Sequence, residues 1–280
     1  MKYAAFILTH GRPNNQKTYN TLKELGFTRK VYLVLDDQDP TIQQYIDNYG
    51  EENIIVFNKA KFIAQTDTGL SEPVPKFAVF ARNAIESIAQ EMGYKYFIMM
   101  DDDIYKFRLR QDVDGSLKTF PLNGIIDEVF DACFRYVDSA NLACLSPGVS
   151  KVYRCGVQAL EWNNKYRICV NCFFRNGAFK VNWRLNMFED LITNLDCSTE
   201  GQVWLTYIPL QADLGEFNGK VEGGNTDVYR TFDGFKMAFM SIVSHPECND
   251  MKFFNGHWKP VTHTSTAINR IIPEKYKKGG

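Results

Sequence analysis

Residues 96–103 read Tyr96-Phe97-Ile98-Met99-Met100-Asp101-Asp102-Asp103. Five apolar residues run without a break into three acids. An unbroken apolar run is the mark of a strand buried on both faces, and its carboxyl end here meets a polar cluster. Working back toward the N-terminus, the same unit recurs. Tyr3–Leu8 is a strand, followed by the loop Thr9–Asn15 and by helical apolar spacing over Lys17–Leu25 that stops at Gly26. Val31–Leu35 is a second unbroken run and ends in Asp36-Asp37. Thr41–Tyr49 reads as a short helix closed by Gly50, and Asn53–Phe57 as a third strand. Over Phe77–Met92 the residues Phe77, Phe80, Ala81, Ala84, Ile85 and Ile88 share one helical face, and Gly93 ends the helix.

Alternating strands and helices with short connections predict an α/β fold, a Rossmann-type and mostly parallel sheet flanked by helices. In such sheets ligands bind outside the carboxyl ends of the strands. Three of those ends carry polar clusters: Thr9–Arg12, Asp36-Asp37 and Asp101–Asp103. The second half is less regular. Leu122–Val137 and Phe188–Leu195 read as helices, Tyr166–Phe174 and Gln202–Ile208 as strands, and Gly215–Asn225 as loops near a site. No repeat or linker interrupts the chain. The expectation is therefore a single domain over 1–280, with a ligand-binding half at 1–110 and an acceptor-side half at 111–280.

Composition narrows the function. Lys+Arg number 32 against 33 Asp+Glu, a net charge of −1, which excludes a uniformly basic nucleic-acid coat. No apolar run approaches the ~20 residues of a membrane helix, and Ala4–Leu8 is too short for a signal-peptide core. Seven cysteines are an odd number, which argues against a disulfide framework and for a reducing cytoplasm. Cys169 and Cys172 have metal or redox spacing, but a strand would turn them to opposite faces, so they read as structural thiols.

Asp101 and Asp103 are two hard carboxylates that alternation would aim the same way, with Asp102 aimed elsewhere. Such a pair suits an octahedral dication that keeps positions open for phosphate oxygens and offsets charge on a leaving diphosphate. Arg12 offers a planar donor fork for phosphate, and Asp36 or Asp37 stands where an acid accepts from ribose or base. Arg82, close to Lys76, sits beside the apolar face of its helix, either as a snorkelling surface residue or as an anchor for a diphosphate. Glu189-Asp190 opens a helix, either as favourable charge at its N-terminus or as a carboxylate facing an acceptor hydroxyl. His257 and His263 lie in a polar C-terminal stretch. Lys106, Arg108 and Arg110 alternate after the acids, as a phosphate-binding or a solvated strand face.

The stretches 9–27, 31–39, 80–103, 166–174, 184–195, 223–229 with 234–243, and 269–278 together resemble the phage-type TET/JBP-associated glycosyltransferases, of the GT-A plan, which are implicated in glycosylating hypermodified DNA bases. The resemblance implies a nucleotide-sugar donor, most simply a UDP-sugar, and a Mn2+ or Mg2+ ion. It implies that the 1–110 half binds the nucleotide-sugar, with nucleotide contacts from Thr9, Arg12, Asp36 or Asp37, Arg82 on the nucleotide or diphosphate, Lys76 and Asp102 as further donor-binding candidates, Asp101 and Asp103 in the metal shell, and Glu189-Asp190 on the acceptor side, with Asp190 as base in an inverting reaction. Of the family's C-terminal His pair only His263 stands here, as a candidate metal ligand. The implied acceptor is a hydroxyl on a modified pyrimidine in DNA, or on a sugar already attached to it. An unstacked base would need aromatic support, for which Trp162, Phe173, Phe174 and Trp183 are candidates. Two rivals remain. One is a sugar-nucleotide nucleotidyltransferase, against which stands the lack of a Gly-rich N-terminal phosphate loop. The other is a non-catalytic nucleotide- or DNA-binding module.

Overall fold

The structure is a computed structural model; it describes residues 1–69, 78–162, 169–215, 234–254 and 257–263. Lys76 and Phe77 lie outside the described residues, as does the expected loop beyond Gly215. The chain runs β1 (Tyr3–Leu8), α1 (Lys17–Glu24), β2 (Val31–Asp36), α2 (Ile42–Tyr49), β3 (Ile54–Phe57), α3 (Lys59–Gln65), α4 (Ala78–Glu91) and β4 (Tyr96–Asp101). A hairpin follows, β5 (Ile104–Val113) and β6 (Ser116–Pro121), then α5 (Ile126–Ser139) and β7 (Cys144–Val149). After a 3-10 segment come β8 (Cys172–Asn176), α6 (Glu189–Thr199) and β9 (Trp204–Leu214), then α7 (Gly234–Ser244) and a separate hairpin, β10 (Asn249–Phe254) with β11 (His257–Thr262).

Nine strands form one sheet in the order β3-β2-β1-β4-β8-β7-β9-β5-β6. The pairs β3–β2, β2–β1, β1–β4 and β7–β9 are parallel, whereas β4–β8, β8–β7, β9–β5 and β5–β6 are antiparallel. Followed across the sheet, only β8 and β5 run against the other strands, so the sheet is mostly parallel, as expected. The reversals fall in the second half, where hairpin and return connections replace the strand–helix unit.

Side chains alternate across the central strands and build two cores. Ala5, Ile7, Ile98 and Met100 pack on one face with Phe130 and Phe134 of α5. Ala4, Phe6, Phe97 and Met99 pack on the other with Phe80, Ala84 and Ile85 of α4. The two cysteines of the Cys-x-x-Cys stretch divide as expected: Cys169 enters the α4 core and Cys172 the α5 core. All seven cysteines are free. No described helix is long and apolar enough to cross a membrane.

Several expected elements shift. On α4 the buried set is Val79, Phe80, Arg82, Ala84, Ile85 and Ala89, while Ala81 and Ile88 are only half-buried. The helix is covered on both flanks, so its buried face is wider than one stripe. The expected strand over Tyr166–Phe174 begins only at Cys172 among the described residues. Strand β7 carries Pro147 and Gly148 in its middle, and its register against β9 shifts at that point. Phe173, Phe174 and Trp183, candidates for supporting a base, are fully buried in the cores.

Arg175 on β8 is also fully buried. It grips Glu86 of α4 through Nε at 2.7 Å and Nη2 at 3.1 Å, and its other amino group donates to the Ala143 carbonyl. Truncating one partner of a buried pair strands the other charge, at a cost of ~3–5 kcal/mol, whereas an apolar swap of both is often near neutral. Glu86→Ala is therefore expected to destabilise the fold by about that much in urea unfolding, and Glu86→Leu with Arg175→Met by much less.

Candidate active site

The central pair β1 and β4 ends in register, Leu8 opposite Asp101, so the Thr9 loop and the Asp101–Asp103 segment meet at the carboxyl edge of the sheet. The three acids do not form an extended strand. Asp101 closes β4, and Asp102 and Asp103 form a turn into β5. Helix α1 clamps that turn. The Thr18 hydroxyl donates to the Asp101 carbonyl at 2.6 Å, the Thr18 N–H donates to the Asp102 carbonyl at 3.2 Å, and the Ile104 N–H donates to the Thr18 hydroxyl at 2.9 Å. From the far side the Gly215 N–H donates to the Asp103 carbonyl at 2.9 Å.

The turn gives each carboxylate a different task. Asp102 is buried and points back into the first loop, accepting from the Thr9 hydroxyl at 2.8 Å and from Arg12 Nη1 at 3.0 Å. Burial still raises its pKa, against the pull of Arg12 and Thr9. Asp101 accepts from Arg82 Nη2 at 3.0 Å on one oxygen and from Asn171 Nδ2 at 2.7 Å on the other. Asp103 has a buried Oδ1 with no hydrogen-bond partner. Burial, then the charges of Asp101 and Asp102, push its carboxyl up to about 7. An orphaned, desolvated carboxylate oxygen beside a second acid is what a divalent cation would satisfy, so the donor set fits an oxygen-liganded Mg2+ or Mn2+. Among the described residues no three His, Cys, Asp or Glu side chains gather as a metal cage. His263 is exposed at the end of β11, its N–H bonded to the Cys248 carbonyl, and does not join Asp101 and Asp103 in one.

The first and second strand ends are cross-linked. Tyr45 is buried on α2, its hydroxyl 2.9 Å from the Thr9 hydroxyl, and it accepts the Arg12 N–H at 2.9 Å. Gln16 ties the same loop through Thr9 and the Arg12 carbonyl. Asp36 is buried between His10 Nδ1 at 2.9 Å and Lys59 Nζ at 3.1 Å. Burial works to raise its pKa, but the His10 hydrogen bond and the Lys59 charge win and lower it. Asp39 accepts the Gly11 N–H at 2.7 Å, at a glycine whose φ of +66° few other residues adopt. Asp37 is exposed and accepts the Lys59 N–H.

Arg82 neither snorkels nor opens onto the crevice. It is 2% exposed, lies over the rings of Phe173 and Trp183 at 5.0 and 5.2 Å, and bridges Asp101 to Glu189, whose Oε1 accepts from its Nε at 3.2 Å. Its guanidinium is held charged by Asp101 and Glu189 against the cost of burial. Glu189 is thereby paired, not free for an acceptor. Next to it Asp190, half-buried, has its carboxyl pushed up to about 7 by burial and by Glu189, with Arg82 opposing. Arg108 and Arg110 serve the sheet, Arg108 on Asp213 at 2.8 Å and Arg110 on Gln211 and Thr119.

Sequence reasoning missed Lys59, Tyr45, Gln16, Thr18 and Asn171. Lys59 stands just past the carboxyl end of β3, where the rule applied to the other strands also pointed. Asn171 has φ +59°, a conformation asparagine adopts more readily than most residues, but nothing in the sequence marks it as the partner of Asp101.

Carboxylates gathered at the carboxyl edge of an α/β sheet stand where such sheets bind their ligands. The model of the family described as TET-Associated Glycosyltransferase matches residues 3–213, and the chain belongs to that family. No curated protein matches its sequence. Solved structures similar to it include S. aureus TarS 1-349 in complex with UDP, at 14% identity and a TM-score of 0.45, covering 77% of this chain and 61% of that one. The chain thus spans about three fifths of that TarS structure. Another is glucosyl-3-phosphoglycerate synthase from Mycobacterium tuberculosis with Mg2+ and UDP, at 9% identity and a TM-score of 0.46, covering 93% and 86%.

Two predictions follow from the electrostatics. A carboxyl whose folded pKa exceeds its ordinary value holds its proton more tightly when folded, so its ionisation costs stability as pH rises from about 4 to about 7. Asp190→Asn is expected to melt with wild type near pH 4 and a few degrees above it at pH 8. Arg82→Ala leaves the buried Glu189 and the half-buried Asp101 without a cation, and urea unfolding is expected to show a loss of ~3 kcal/mol.

Proposed function

We propose that this protein transfers a sugar from a nucleotide-sugar, most simply a UDP-sugar, to a hydroxyl on a modified pyrimidine of DNA or on a sugar already attached to it. Family membership supports the reaction class. The observation that carries the reading is the orphaned Asp103 carboxylate at the end of β4, with Asp101 and Asp190 within its electrostatic reach or across Arg82 from it.

Asp103, with Asp101 beside it, would hold a Mn2+ or Mg2+ ion, whose chemistry when bound is to offset the charge of the departing diphosphate. The nucleotide lies against the first two strand ends. Asp37 is exposed and Arg12 partly so, which suits both to meet it. Thr9, Asp36 and Asp102 are internally paired and act by holding those loops. Asp190 is the base: with its carboxyl near 7 it is largely ionised in slightly alkaline solution and accepts the acceptor hydroxyl's proton as that oxygen bonds to the sugar carbon and the nucleoside diphosphate leaves. Glu189 and Arg82 position it. Sugar transfer in an inverting sense follows if Asp190 acts directly on the acceptor.

The test is a donor and product assay. Manganese with UDP is expected to raise the melting temperature of wild type, with ligand at ~100 times its Kd adding ~2.7 kcal/mol, and to leave Asp103→Asn unmoved. Asp190→Asn is expected to keep that shift and to lower the rate of transfer by ~10²–10⁴-fold. Release of nucleoside diphosphate supports glycosyl transfer, while release of pyrophosphate supports nucleotidyl transfer and overturns it.

A further inference from the structure

The hairpin β10–β11 stands apart from the main sheet and carries an unusual pairing. Lys252 lies directly opposite Lys259. Like charges facing each other across an antiparallel pair are destabilising, and a lone two-stranded hairpin has little stability in reserve. Both lysines are exposed, and neither makes an ion pair among the described residues. Phe254 shares their face, 60% exposed, with the Lys259 ammonium 5.6 Å from its ring centre. Asp250 stands on the same face one alternation away, and its carboxylate accepts the Met251 N–H.

On the opposite face Phe253 is 62% exposed and leans on Trp258 at 5.4 Å, and Trp258 meets Phe235 of α7 at 5.5 Å. The unit is anchored beside the candidate active site. His245, just past α7, lies 2.8 Å from Asp196 of α6, the helix whose first turn holds Asp190, and Cys248 packs on Leu191 and Leu195 of the same helix.

We propose that this face of the hairpin is a docking surface for a DNA strand, with Lys252 and Lys259 on successive phosphates and Phe254 as a stacking platform for a base. The inference rests on the glycosyl-transfer reading for its choice of polyanion. Paired cations with an aromatic beside them on the same face match a phosphodiester chain, since every base has a face to stack and every linkage a charge to neutralise. An element lying on a membrane segregates its cations from its apolar face, and here they share a face. A twofold contact between copies would bring four lysines together.

Fluorescence anisotropy of a labelled oligothymidylate, titrated with the full chain across a salt series, tests it. Lys252→Thr with Lys259→Thr is expected to lower the slope of log K against log salt by roughly 1.4, from two lost phosphate contacts at ~0.7 each. Its melting temperature should equal or exceed wild type, because the facing charges are gone. Phe254→Ser is expected to weaken binding roughly tenfold with the slope unchanged. Hydrolysis of UDP-sugar without acceptor should be unaffected in all of these variants. Wild-type slope and affinity in the lysine variant would overturn the proposal, as would loss of binding to phosphatidylglycerol vesicles or of self-association in place of DNA. Donor hydrolysis with no DNA binding would remove the docking surface and leave the donor reading standing. DNA binding lost in the variants with no donor hydrolysis would do the reverse.

Discussion

The guanidinium of Arg82, closed off from water between Asp101 and Glu189, is the interaction on which the site depends. It joins the end of β4 to the start of α6, two elements whose Asp101 and Glu189 stand 88 positions apart in the chain. The aromatic floor of Phe173 and Trp183 makes the pair local and dry, and a dry pair tolerates no missing partner. Arg82 thus joins the acids at the end of β4 to the first turn of α6, where burial and neighbouring acids push both Asp103 and Asp190 toward neutrality, with Arg82 opposing at Asp190.

The three consecutive aspartates show how one short turn divides labour. Asp102 locks the first loop through Thr9 and Arg12, Asp101 is fixed by Arg82 and Asn171, and Asp103 is left with an unpaired oxygen. Thr18 and Gly215 hold the backbone of the turn from both sides, so the open carboxylate is positioned without being satisfied. The network around Tyr45 and the Asp36–Lys59 pair does the same for the first two strand ends.

The parallel half of the fold was legible because fully buried strands write themselves as unbroken apolar runs that end where the ligand edge begins. Tyr3–Leu8 was read to the residue, and Asp102 was rightly set apart from its neighbours, although the turn rather than strand alternation does this. Strand β7 was not legible, because Pro147 and Gly148 signal a break and only pairing with β8 and β9 overrides them. The burial of Arg82 was not legible, because a helical arginine ordinarily reaches water and the two acids that pair with it come from distant segments. Phe173, Phe174 and Trp183 had ligand-facing chemistry on paper, but the two cores consume them. For Glu189 and Asp190 sequence could mark the pair and not which member is bound to Arg82.

The most direct measurement is a crystal structure of the protein with UDP and manganese, using anomalous scattering to place the ion. The account predicts manganese bound by Asp103, Arg82 still bridging Asp101 and Glu189, and Asp102 still on Thr9 and Arg12. Manganese away from Asp103, or Arg82 withdrawn from Glu189 onto the diphosphate, would contradict it.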